Sequence, residues 1–296
     1  MTEVVFVCDE GAGVGLGHRR RCEAVARELQ RHGIDSAIVP AMNGIVAAPV
    51  VVVDSYRVRA DDRRWFVPDH VVAIDDLDRN LAVDVAVLPA PAASAARYHN
   101  ATLVLAGAAY SIVDSSLRDI ATPEDFGVVG RAPRVVVTMG GADHDGVGQF
   151  IARRCAQRLP NAVVQLVVGP WGDQSTPRGV ESVWCPDGLS TVLALADVVV
   201  TAGGVSLLES LALGRPTVVL TTAENQTSNV DAVVAAGAAI AAQRLTAHEA
   251  VLALSDDPAR RSKLSRQSRA LIDGRGAQRV AAVVANLCTA TSAVRI

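Results

Sequence analysis

The chain has 296 residues, a formal net charge of −3 and 28 Lys or Arg against 31 Asp or Glu. That length points to two domains, and scattered basic residues in a slightly acidic chain leave no footprint for a nucleic-acid polyanion. Half of the residues are hydrophobic but only 3% are aromatic, so the apolar mass is Ala, Val and Leu, the stock of parallel sheets, and disordered or fibrous classes are excluded.

The first element is a short β-rich run, Glu3 to Cys8. A glycine-rich loop follows, then apolar positions Cys22, Val25, Ala26 and Leu29 at helical spacing, closed by Gly33. Strands are expected at Ala37 to Pro40, Val50 to Val53, Val71 to Ile74, Val83 to Leu88 and Thr102 to Leu105, so the first half reads as a doubly wound α/β domain. Periodicity lapses around Thr122 to Pro133, and a new strand, Arg134 to Thr138, runs into Gly140-Gly141. The expected domains are therefore residues 1–130 and 131–296. In the second, strands are expected near Val163 to Val168, Val198 to Thr201 and Pro216 to Thr221, with helices near 146–158, 205–213 and 227–236. Helical stretches run from about 247, broken at Gly274 and Gly276, and the last is a candidate to pack back on the first domain.

Five cysteines (Cys8, Cys22, Cys155, Cys185 and Cys288) lie far apart with no C-x-x-C pair, so neither a zinc cage nor a disulfide framework is indicated. The N-terminus lacks a basic stretch before its apolar run, and no uncharged apolar run reaches the roughly 18 residues a membrane span requires. A reduced, cytoplasmic chain without membrane or nucleic-acid partners is the expectation; the sequence carries no signal for oligomeric state.

The first loop, Asp9-Glu-Gly-Ala-Gly-Val-Gly-Leu-Gly-His18, fits the dinucleotide pattern G-x-G-x-x-G at no register, because Leu16, His18 and Arg20 stand at the third-glycine positions. There is no P-loop either. What remains is a glycine loop ending in a histidine at a helix start. His18 reads either as a capping group or as one that takes a proton. Arg19-Arg20-Arg21 opens the same helix, where cations oppose the dipole, so one of them could serve an acidic substrate group or all could be solvated.

Gly203-Gly204-Val-Ser206 sits at a strand-to-helix turn of the second half. Its glycines allow a diphosphate close approach, Ser206 adds a hydroxyl, Glu209 can accept from vicinal ribose hydroxyls, and Asn225-Gln226 follow. Asp76-Leu-Asp78 and Asp143-His-Asp145 match the short metal signature D-x-D and read better as loop carboxylates; Asp75 and Asp76 could face substrate. No resident metal or cofactor is expected. Lys263 is the only lysine, so catalysis must rest on histidine, carboxylates, arginine and backbone dipoles.

Together, Gly15-x-Gly17-His18-x-x-Arg21-Cys22, Val53-Asp54-Ser55-Tyr56, Ile74-Asp75-Asp76-Leu77, Gly140-Gly141-x-Asp143, Gly203-Gly204-x-Ser206-x-x-Glu209, Asn225-Gln226 and Asp273-Gly274-x-Gly276-Ala277 make the chain similar to GT-B enzymes. It most resembles the UDP-sugar hydrolase of pseudaminic acid biosynthesis and its spore-coat relatives. It is more distantly similar to the peptidoglycan N-acetylglucosaminyltransferase, and cytosylglucuronate synthases look like members of the same broad group. The resemblance implies an α/β, GT-B fold of two Rossmann-like domains facing across a cleft. It also implies a UDP-sugar co-substrate held by residues matching Gly140, Gly141, Gly203, Gly204, Ser206 and Glu209, and His18 acting at the sugar. Gly15, Gly17, Arg21, Tyr56, Asp75, Asp76, Asn225 and Gln226 would line the sugar or acceptor side.

Three positions depart from the hydrolase pattern: Cys8 replaces an arginine, Tyr110-Ser-Ile-Val-Asp114 replaces Tyr-x-x-Leu-Arg, and the asparagine after G-G-x-D is missing. The first expectation is therefore a metal-independent, inverting UDP-sugar glycosyltransferase, its sugar a candidate uronic acid and its acceptor small and soluble, such as a nucleobase. The alternative is a UDP-sugar hydrolase with water as acceptor; a non-catalytic nucleotide-sugar sensor is disfavoured because His18 is retained.

Overall fold

The computed structural model of the chain describes residues 2–294 except 12, 13, 15, 42–44, 63–65, 121, 123–131, 142 and 185–188. In chain order the strands are β1 (Val4–Cys8), β2 (Ser36–Pro40), β3 (Val46–Ala47), β4 (Val50–Asp54), β5 (Phe66–Val67), β6 (His70–Ile74), β7 (Val85–Leu88), β8 (Leu103–Ala106), β9 (Arg134–Thr138), β10 (Val163–Val168), β11 (Glu181–Trp184), β12 (Val198–Ala202), β13 (Thr217–Leu220) and β14 (Ile240–Ala241). The helices are α1 (Gly17–Arg31), α2 (Val147–Arg158), α3 (Ser190–Ala194), α4 (Val205–Ala212), α5 (Thr227–Ala235), α6 (Ala247–Ser255), α7 (Pro258–Leu271) and α8 (Gly276–Val294). Packing divides the chain into one unit of Met1–Ser115 with Gly274–Ile296 and another of Ser116–Asp273. The boundary expected at 130/131 falls on residues outside the described set.

The first unit is built on a parallel sheet of order β2-β1-β4-β6-β7-β8. Its strands are continuous apolar runs because both faces are covered. Alternate residues divide between the faces. Phe6, Val52, Val72, Ile74 and Val87 meet Cys22, Val25 and Leu29 of α1 and Val280, Ala281 and Val284 of α8. Val7, Val51, Val53, Val71 and Ala86 are covered by Phe66 of β5 and by Val58, Ala60, Leu81 and Tyr98, which lie between strands, and β3 and β5 form a small parallel pair on that side.

Here the structure differs from a doubly wound domain, since among the described residues no α-helix packs in this second-face cluster. The link from β2 to β4, residues 41–49, is shorter than the dozen or so residues a helical crossover needs, and Pro49 ends it. On the first face, α8 brings Ala277, Val280, Ala281, Val284 and Cys288, spaced on one helical face, into the core beside α1.

The second unit has a parallel sheet of order β11-β10-β9-β12-β13-β14. Val135, Val137, Leu166, Val198, Val200 and Val218 pack on Ile151 and Cys155 of α2 and on Val251 and Leu254 of α6. Leu207 and Leu211 of α4 are fully buried. No helix among the described residues is long and apolar enough to cross a membrane.

Candidate functional site

The register of the first sheet assembles the site. Cys8 pairs with Asp54 and Val53 with Ala73, so Asp9, Asp54, Ser55, Asp75 and Asp76 collect at the C-terminal ends of β1, β4 and β6, where α/β sheets bind ligands. His18 and Arg21 stand three residues apart on one face of α1, in its first turns, and both are buried. His18 Nδ1 lies 2.5 Å from Asp54 Oδ1. Arg21 donates from Nε to Asp54 Oδ2 at 2.9 Å, from Nη2 to Asp54 Oδ1 at 2.7 Å and from Nη1 to Asp76 Oδ2 at 2.8 Å. The Tyr56 hydroxyl donates to the same Asp76 oxygen at 3.1 Å, and its ring meets that of His18 edge-on with centroids 4.4 Å apart.

Proton placement follows from this pairing. A carboxylate oxygen accepts from a ring N–H, so the His18–Asp54 contact favours the tautomer with the proton on Nδ1, whereas Arg21 Nη2, 3.1 Å from the same nitrogen, can only donate to it. Nε2 is left without a hydrogen bond among the described residues. An imidazole held at one nitrogen with the other open is equipped to take a proton.

Burial opposes the Arg21 charge, but Asp54 and Asp76 outweigh it and hold the guanidinium well above its usual range. Burial likewise works against the Asp76 carboxylate, and Arg21 outweighs it and keeps Asp76 below the usual carboxylate range. A depressed native pKa stabilises above the unfolded value of about 4 and is lost as pH falls through the native one. The expected result is that melting temperature declines as pH drops below about 4. Asp76→Asn should be less stable at pH 7 and lose less on acidification; an equal acid loss in both proteins would contradict the assignment.

Among the other expected residues, Asp75 has a different job. It is 1% exposed, and its two oxygens accept from the Leu77 and Arg79 backbone N–H groups, Arg79 Nε and the Tyr98 hydroxyl, which fill its four lone-pair positions. Asp76, one residue on, faces Arg21. Gly17 is the first residue of α1, and Gly15 lies outside the described residues. Arg19 pairs with Glu23 and Glu10, and Arg21 with Asp54 and Asp76, so both spend their charge on the chain's own carboxylates.

Two further residues organise this end of the sheet. Asp54 had no separate role in the sequence reading, although it stood within Val53-Asp54-Ser55-Tyr56. Asp9 accepts from Ser55 Oγ at 2.9 Å and from the Tyr56 N–H at 2.7 Å, which fixes the turn carrying Tyr56. The signal available for both was an aspartate directly at the end of an apolar strand.

In the second unit, Gly140 and Gly141 form the turn after β9, and Gly203 and Gly204 the turn between β12 and α4. Gly203 is buried, and a Cβ there would come within 2.7 Å of Val230 Cγ2 and 3.0 Å of Gln226 Cβ. Gln226 Oε1 accepts from the Gly203 and Thr222 N–H groups and from Thr222 Oγ1, so it locks the glycine turn to the start of α5. Gly204 is exposed and caps α4 without a side-chain bond; Ser206 is half-buried in the first turn, Glu209 buried in the second, and Asn225 exposed before α5.

Asp143 of the second D-x-D accepts from the Gly148 and Gln149 N–H groups, capping the start of α2. Among the described residues, no three His, Cys, Asp or Glu side chains gather as a metal cage.

No family model matches the chain, and a search of curated proteins finds no match. Solved structures do resemble it. The glycotransferase of kitacinnamycin is 16% identical with a TM-score of 0.65, covering 97% of this chain and 99% of that one. MurG of Acinetobacter baumannii is 14% identical with a TM-score of 0.61, at 96% and 99% coverage. The spinosyn rhamnosyltransferase SpnG, solved with thymidine diphosphate, is 14% identical with a TM-score of 0.55, at 96% and 99%. At these identities the likeness defines the fold, the GT-B architecture of two Rossmann-like units.

Proposed function

We propose that the chain is a UDP-sugar-dependent, inverting glycosyltransferase that moves a sugar to a small soluble acceptor, such as a nucleobase or another natural-product precursor, with His18 as the base. The observation that carries this reading is the buried His18–Asp54 pair, 2.5 Å apart and with no hydrogen bond to Nε2 among the described residues, at the ligand-binding end of a GT-B sheet. Support for a small acceptor comes from neighbours whose names concern natural products, among them kitacinnamycin and the spinosyn aglycone.

In this reading the acceptor's O–H or N–H attacks the anomeric carbon and the proton passes to His18 Nε2. The bond from the anomeric carbon to the diphosphate oxygen breaks, and its electron pair leaves with UDP. Attack opposite the leaving group inverts the centre. The second unit holds UDP through the N–H groups at Gly203 and Gly204 and the start of α4, with Gly140 and Gly141 beside the phosphates and Ser206 and Glu209 on phosphate and ribose. Asn225 lies on the sugar side. A uronic acid remains a candidate for the sugar, although the charges of Arg19 and Arg21, two of the three arginines that open α1, are matched by carboxylates of the chain.

Incubation with UDP-sugars, with and without candidate acceptors, tests this by UDP release and product mass. A glycosylated acceptor is the expected outcome. UDP release that ignores every acceptor would make the protein a hydrolase, and UDP binding without any turnover would overturn an enzymatic reading. Gly203→Ala, which must push α5 away from the turn, should weaken UDP binding by about tenfold in calorimetry, the equivalent of about 1.4 kcal/mol.

A further inference from the structure

We propose that Arg21 is the positioning residue of this site: its two-pronged grip on Asp54, braced on Asp76, selects the His18 tautomer that leaves Nε2 as the base. The inference rests on the reading of His18 as the base and adds to it a device built from three side chains, Arg21, Asp54 and Asp76.

The geometry offers His18 Nδ1 two partners, and they demand opposite protonation. Asp54 Oδ1, at 2.5 Å, only accepts and requires a proton on Nδ1. Arg21 Nη2, at 3.1 Å, only donates and would require a lone pair there, which places the proton on Nε2 and blocks the base. The choice between them depends on where Asp54 Oδ1 is held. Arg21 settles that position, since Nε and Nη2 take one carboxylate oxygen each and leave the Asp54 group a single orientation, with Oδ1 shared between Nη2 and Nδ1.

Nη1 on Asp76 prevents the guanidinium from swinging towards the imidazole. Tyr56, hydrogen-bonded to the same Asp76 oxygen and edge-on to the His18 ring, closes the remaining side. A lysine cannot reproduce this, because an ammonium carries charge without the planar fork. The charged groups facing His18 are thus Asp54, Arg21 and Asp76, with Tyr56 as the neutral neighbour, and Asp9 stands behind the turn that carries Tyr56.

The test reads the tautomer directly. Nitrogen-15 NMR of the substrate-free protein, with the His18 resonances assigned by their loss in His18→Asn, shows which ring nitrogen bears the proton. In the parent protein Nδ1 is expected to be protonated and Nε2 bare. In Arg21→Lys, whose ammonium can still donate to Nδ1 but cannot hold both Asp54 oxygens, the population should move to the Nε2–H form; in Arg21→Met, which frees Asp54 but also removes that donor, it should move part of the way, as in Asp76→Asn. Arg21→Lys should also lower kcat about tenfold or more with KM for the UDP-sugar changed by less than about threefold.

An unaltered Nδ1–H tautomer in the Arg21 variants overturns the proposal. Arg21→Lys decides the matter if Arg21→Met fails to fold, since it preserves the charge balance. The tautomer is observed without turnover, so a shift in a protein that turns over no UDP-sugar would uphold the role of Arg21 and refute the proposed reaction instead.

Discussion

His18→Ala is expected to lower turnover of the UDP-sugar by about 10²–10⁴, the usual contribution of a positioned base, while UDP affinity changes by less than about threefold. The separation follows from the fold. His18 belongs to the unit of Met1–Ser115 with Gly274–Ile296, and the glycine turn at 203–204 to the unit of Ser116–Asp273. Asp54→Asn should come close to the same loss for a different reason, because an amide can offer an N–H to Nδ1 and so favour the tautomer with the proton on Nε2. Steady-state kinetics with calorimetric UDP binding checks both. Turnover near the parent level in His18→Ala would remove it from the chemistry.

Gly276→Ala carries the largest expected cost in stability. A Cβ at the first residue of α8 would stand 2.0 Å from the Ser111 carbonyl oxygen, 2.6 Å from its carbon and 3.0 Å from the Tyr110 carbon. All three are backbone atoms, so relief requires the segment or the helix to move. Ser111 is itself buried and donates to the Pro89 carbonyl, while Arg279 binds the Ala109 carbonyl from the next turn of α8. The expected loss is about 3 kcal/mol or more, or a fall in melting temperature of roughly 6–12 °C. Gly204→Ala, with open space around the added carbon, should shift it by no more than about 2 °C.

The strands that shape the two sheets were legible because a parallel strand covered on both faces must be apolar at every position, as Val50-Val-Val-Val53 and Val198-Val-Val200 are. β11 was not legible. Glu181-Ser-Val-Trp184 lies at the sheet edge with most of its side chains exposed, so it carries no apolar run to read. Nor was the lack of an α-helix, among the described residues, on the second face of the first sheet, which shows only as short links such as 41–49. His18 stood out through its glycine loop. For Arg19 to Arg21 the sequence left open whether one serves an acidic substrate group or all are solvated, because it shows three cations at a helix start but hides Asp54 and Asp76, brought to Arg21 from 33 and 55 residues away. Asp75 and Asp76 looked equivalent as neighbours; just past the end of β6 they take different partners, one the framework of Arg79 and Tyr98, the other Arg21.

The placement of α8 also bears on how the protein is made. Domains generally fold in the order in which they leave the ribosome. Here the core that supports α1, and with it His18 and Arg21, is completed by Val280, Ala281 and Val284, which emerge after all of Ser116–Asp273. The stretch translated in the middle can therefore reach its native state while the earlier half waits with Val25, Leu29 and Val52 uncovered. The α1 face that carries His18 and Arg21 is thus supported by residues more than 240 positions further along the chain, and its packing depends on their arrival.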